Sequence, residues 1–177
     1  MDFVYRYNTE CKMKFFPSKN KKKMEIKRNT EIIDITHDDL VNLFSTALYG
    51  STVFEVEIDR EFYHTIPKEK RNGDTIDDKM ADIILNGGNL FFYDKEDDGD
   101  PLSNLGKVVD NGEDNPYVIY TINLDNIIDG LCACANGERG DWERDCFEHF
   151  LTNDREFDQC EADALLQNIV FNETVYG

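Results

Sequence analysis

At 177 residues, 40% hydrophobic and 12% aromatic, the chain suits one folded domain with a sizeable core and excludes a disordered acidic tail. Nineteen basic against thirty-seven acidic residues leave a net charge of −18, which argues against general nucleic-acid binding and for attraction to basic surfaces. No apolar run approaches the roughly 20 residues of a membrane span. The start, Met1–Glu10, lacks the layout of a secretory signal, and five cysteines fall short of a disulfide scaffold, so the expectation is a reduced protein of the cytoplasm.

The charge is unevenly placed. The first 28 residues hold nine basic and three acidic side chains, the other 149 ten and thirty-four. Residues 1–35 read as a basic β region. Phe3, Tyr5 and Tyr7 alternate with Val4 and Arg6, Met13–Phe16 forms a second run ending at Pro17, and Met24–Lys27 and Ile32–Ile35 read as two short strands. The polar stretch Ser18–Lys23 is then a hairpin tip. Its lysines, Lys19–Lys23, could touch phosphate, but lysines also protect strand edges from aggregation, and the negative balance of the rest favours that second role.

Residues 36–177 read as an acidic α+β body. Thr36, with Asp39 at the third position, caps a helix whose apolar face is Leu40, Leu43, Phe44, Ala47 and Leu48 and which ends at Gly50. Val53–Ile58 alternates, with Phe54, Val56 and Ile58 on one side and Glu55, Glu57 and Asp59 on the other. Glu61–Gly73 reads as a polar connection with a basic patch, Lys68, Lys70 and Arg71. Thr75 caps a second helix (Ile76, Met80, Ile83, Ile84) that stops at Gly87–Gly88, before a short strand at Leu90–Tyr93. Asp94–Pro116 reads as an acidic loop, and Tyr117–Thr121 restores a strand. Asn123 caps a third helix through Leu131, Trp142–Phe150 gives a fourth, and Asp158, with Glu161 closing a capping box, starts the last. In that last helix Ala162, Leu165, Leu166 and Ile169 share one face, and the chain runs on into Phe171, Val175 and Tyr176. The fold class expected is α+β: a mainly antiparallel sheet packed by about five helices in a single domain.

Four stretches carry a resemblance. Ser45–Ser51 (STALYGS), Ile83–Asp94 (IILNGGNLFFYD), Tyr120–Leu131 (YTINLDNIIDGL) and Ala162–Gly177 (ADALLQNIVFNETVYG) resemble, in the same order, a group of small acidic proteins of phages and mobile elements of Firmicutes. The similarity spans about Ile35 to Gly177 and leaves out the first 30 residues and the acidic insert after Asp94. It implies a phage context inside a host cell and implies no active site. Inhibitors of CRISPR systems are among phage proteins of this size and acidity.

Residues with chemistry point the same way. Asp94, Glu96 and Asp98 followed by Gly99 alternate like the start of a calcium loop, but the twelfth position is Leu105 where a bidentate glutamate belongs, and Pro101 breaks the geometry. Cys132, Cys134, Cys146 and His149 have zinc-ligand identities; on one helix, however, Cys132 and Cys134 point to opposite sides, and cysteine as a small buried hydrophobe is the simpler reading. His37, His64 and His149 sit in no nucleophile–base motif, and His37 falls in an exposed-looking first helical turn. Neither a catalytic residue nor a metal nor a cofactor is therefore assigned.

The expected function is binding. A host protein with a basic nucleic-acid groove, foremost an RNA-guided CRISPR nuclease, would be met by carboxylates standing in for phosphates. The carboxylates expected to do so are Asp94, Glu96, Asp97, Asp98, Asp100, Asp110, Glu113 and Asp114, with Glu55, Glu57 and Asp59 behind them. Two other classes stay open: a module that sequesters a nucleotide signal, lined by Tyr117, Tyr120 and Lys68–Arg71, and a phage assembly factor that self-associates.

Overall fold

The computed structural model describes residues 23–28, 31–95, 100–109, 117–152 and 157–176. The runs expected at Phe3–Tyr7 and Met13–Phe16, and the turn before Lys23, lie outside these residues. A two-stranded antiparallel hairpin comes first, β1 (Lys23–Arg28) with β2 (Glu31–Thr36). Its Met24, Ile26 and Ile35 are buried in the core shared with the rest of the chain, β1 lies against α4 (Leu124–Ala135), and Arg28 pairs with Glu148. This part of the basic region thus belongs to the same body as the acidic remainder.

Helices begin where the caps predict. Thr36 starts α1 (His37–Leu48) and Thr75 starts α3 (Ile76–Leu85), each in a reciprocal box with the aspartate three residues on; Asn123 starts α4 the same way with Asn126. Two of these helices stop alike. Asn86-Gly87 ends α3 and Asn136-Gly137 ends α4, the glycines at φ +86° and +68°, with Gly88 N–H on Ile83 O and Glu138 N–H on Ala133 O at 2.9 Å each. Both are Schellman closures, which need a residue free to take a left-handed backbone.

The second sheet has four antiparallel strands in the order β3 (Phe54–Ile58), β4 (Leu90–Asp94), β6 (Tyr117–Ile122), β5 (Gly106–Val109). Its inner face carries the buried Phe54, Leu90, Phe92, Val118, Tyr120 and Ile122, against which α3 and α6 (Gln159–Val170) lie. α6 is the hub: it touches α1, α4, β6 and α5 (Asp141–Thr152), and Ala164 to Val170 are all buried. A helix surrounded on all sides must be apolar or internally paired all round. Gln167 meets that demand with four bonds of 2.6–2.8 Å, donating to Asp163 and to Tyr176 O and accepting from the Val175 and Tyr176 N–H groups. The end of the chain is thereby folded back over its own last helix, with Phe171 buried between Phe54, Tyr120 and Tyr176.

Several expectations are corrected. The connection Glu61–Gly73 holds a helix, α2 (Arg60–Thr65), and one turn of 3-10 helix at Lys68–Lys70; Asp59 is its N-cap, accepting from Phe62 N at 2.8 Å, while Tyr63 and Ile66 fill the core. The loop drawn from 94 to 116 contains β5, because Gly106–Val109 finds a partner in Tyr117–Tyr120 across the sheet. Asp94 is the last residue of β4 and is 6% exposed. Glu161 does not close a capping box at Asp158: Asp158 accepts from the Cys160 and Glu161 N–H groups, and the Glu161 side chain turns to His149. His37 is buried, not exposed.

Candidate functional site

Alternation along the four strands gives the sheet a second, outer face. Cross-strand register sets Glu55 opposite Tyr93, Tyr93 opposite Ile119 and Ile119 opposite Lys107, a row across all four strands. A second row is Glu57, Phe91 and Thr121, and Tyr117 stands opposite Val109. None of these side chains is fully buried: Glu55, Glu57, Lys107 and Thr121 are exposed, and the aromatic and aliphatic ones are half-buried. The face is therefore an aromatic and aliphatic stripe with two carboxylates along one edge strand.

One of the two carboxylates, Glu57, is held in place. Tyr93 donates its hydroxyl to Glu57 Oε2 at 2.6 Å, and its ring lies 5.7 Å from that of Tyr117. That bond to a carboxylate, with burial and the charge of Glu57 behind it, pushes the Tyr93 phenol up to about 12, so it remains a donor at any physiological pH. β3 pairs with β4 alone among the described strands, which leaves Glu55 and Glu57 at the sheet's margin.

The other expected partner-binding residues separate. Asp59 is used by the cap of α2. Asp94 points to the inner side of the sheet and accepts the Tyr176 hydroxyl at 3.0 Å, so it ties down the C-terminal segment and is removed from the surface set. Asp100 is exposed. Glu96, Asp97, Asp98, Asp110, Glu113 and Asp114 lie outside the described residues. Carboxylates also crowd on the helices. Burial and then the charge of Asp125, one turn away on α4, raise the Asp129 carboxyl above its usual range.

The zinc arrangement does not assemble among the described residues: no group of three or more histidine, cysteine or acidic side chains there is placed to hold a metal ion. His149 Nδ1 instead lies 2.7 Å from Glu161 Oε1. Burial pushes both the Cys134 and the Cys146 thiol up to about 12, which keeps them as protonated hydrophobes, whereas Cys160 is exposed. The nucleotide-binding set separates too. Tyr117 and Tyr120 face opposite sides of β6; Tyr120 is fully buried with its hydroxyl accepting from Leu102 N at 3.0 Å. Arg71 is occupied by Ile66 O at 3.0 Å, His64 O at 3.2 Å and the Tyr63 ring at 4.7 Å.

One polar cluster was not foreseen. Asp82 is fully buried and accepts from Asn72 N at 3.0 Å and Asn72 Nδ2 at 2.6 Å, and His37 Nε2 lies 3.5 Å from its Oδ1. These bonds link α1, α3 and the segment after α2. The sequence offered no signal for it, since the three partners are far apart in the chain and His37 sits where first-turn residues usually face water. No protein-family model matches the chain, and no curated protein or solved structure does.

Proposed function

We propose that this protein is a phage- or mobile-element-encoded inhibitor that works by binding, not by catalysis, in the host cytoplasm. Its partner is a host defence protein with a basic nucleic-acid-binding groove, an RNA-guided CRISPR nuclease foremost. Carboxylates on the inhibitor take the places of phosphates, and partner arginines and lysines make charge-assisted bonds to them.

The observation that carries this reading is the exposed carboxylate pair Glu55 and Glu57, of which Glu57 is fixed by Tyr93, at one margin of a largely aromatic and aliphatic sheet face whose other margin carries Lys107. Electrostatics add to it. A net charge of −18 produces a long-range field that speeds encounter with a basic surface and fades as salt rises.

The test is capture of partners from host lysate on the immobilised protein at low and at moderate salt. One basic nucleic-acid enzyme, retained at low salt and released at moderate salt, is the expected result. A clean column at both salts contradicts the proposal. Block reversal to lysine of Glu96, Asp97, Asp98, Asp100, Asp110, Glu113 and Asp114 checks how far the acidic loop takes part; single exposed carboxylates contribute too little to be read one by one.

A further inference from the structure

We infer that the outer face of the four-stranded sheet is the docking surface, and that its occupant is an arginine- or lysine-rich segment of a partner protein. This deepens the inhibitor reading and rests on it for the identity of the partner. Protein–protein interfaces join an aromatic, poorly charged centre to a polar rim, with tyrosine and arginine as the anchoring residues. The face has that anatomy. Phe91, Tyr93, Tyr117 and Ile119 form the half-buried centre, and Glu55 and Glu57 form an acidic rim along β3.

Charge and geometry select the occupant. Glu55 and Glu57 are two residues apart on one strand and so roughly 7 Å apart, a spacing that two successive outward side chains of an extended basic segment match. The Tyr93 hydroxyl fixes the Glu57 carboxylate before any partner arrives, which lowers the ordering cost of binding. The Tyr93 ring, bonded to Glu57 and 5.7 Å from the Tyr117 ring, offers a π surface beside that carboxylate, where a guanidinium can stack while its N–H groups reach an oxygen. Single-stranded nucleic acid also stacks on aromatic sheet faces, but here its phosphates would meet the two glutamates in a strongly negative field.

The experiment is an amide chemical-shift titration of the full chain with nona-arginine, and separately with an oligothymidylate. Expected with the peptide are shifts concentrated on β3, β4 and β6. E55K/E57K should weaken peptide binding about thirtyfold, from two exposed pairs at the upper end of their usual worth, and E55Q/E57Q should weaken it less. Both variants are checked for an unchanged melting curve. D125K/D129K, a reversal of equal size on α4, should leave the sheet shifts in place. Shifts spread evenly over every acidic surface, equal weakening by the two reversals, or tighter binding of the oligothymidylate on this face would each overturn the inference. Loss of the lysate partner by D125K/D129K but not by E55K/E57K would refute this face and leave the inhibitor reading standing.

Discussion

Asp82 shows how much one buried carboxylate can be asked to hold. It is fully buried, bears two hydrogen bonds from Asn72 and lies beside His37. Asp82→Ala removes the buried acceptor that ties the exposed Asn72 to α3 and leaves a small cavity beside His37, so a loss of about 1–3 kcal/mol in urea unfolding is expected, against a few tenths for Asp125→Ala on the surface. Cysteines divide in the same way. Cys160 should react with an aromatic disulfide reagent in the folded protein, and Cys134 and Cys146 only after unfolding, as counted by absorbance. Their thiols, raised from 9.0 to about 12 by burial, are protonated in the fold and ionised in the unfolded chain above pH 9. The stability they contribute is therefore complete below pH 9 and is lost between 9 and 12.

Among the elements, what could be read from the sequence was what neighbouring residues decide. Thr36, Thr75, Asn123 and Asp158 each precede an apolar period, and each caps a helix. The alternation that put Glu55 and Glu57 outward is local in the same sense. Distant partners decided the rest. α2 is only six residues long and its cap, Asp59, looked like another surface acid; β5 exists because β6 pairs with it; Asp94 is buried because Tyr176 reaches it. Gly130 illustrates a constraint of this second kind. A Cβ there would lie 2.8 Å from the Ile169 Cα, so α4 and α6 approach through a gap that only glycine leaves. Gly130→Ala should improve helix propensity yet destabilise by about 1–3 kcal/mol, because the obstacle is backbone; a thermal melt decides the sign.

For the whole molecule the dominant quantity is charge. Self-repulsion at −18 opposes the compact state, and Asp77, Asp129 and Asp163 have carboxyls raised chiefly by burial. Groups whose folded pKa is raised stabilise the fold below their unfolded pKa, near 3.8, and withdraw that help as pH climbs through the folded value. Added salt screens the self-repulsion, so melting temperature should rise with salt at pH 7, as read by calorimetry. The same charge is turned outward in the proposed function, where the aromatic sheet face gives it a place to act. The most direct test captures host proteins on the wild-type chain, on E55K/E57K and on D125K/D129K side by side, at low and moderate salt. The account predicts one basic nucleic-acid enzyme held by the wild type and by D125K/D129K at low salt, released at moderate salt, and absent from E55K/E57K. Equal retention by all three proteins, unaffected by salt, would contradict it.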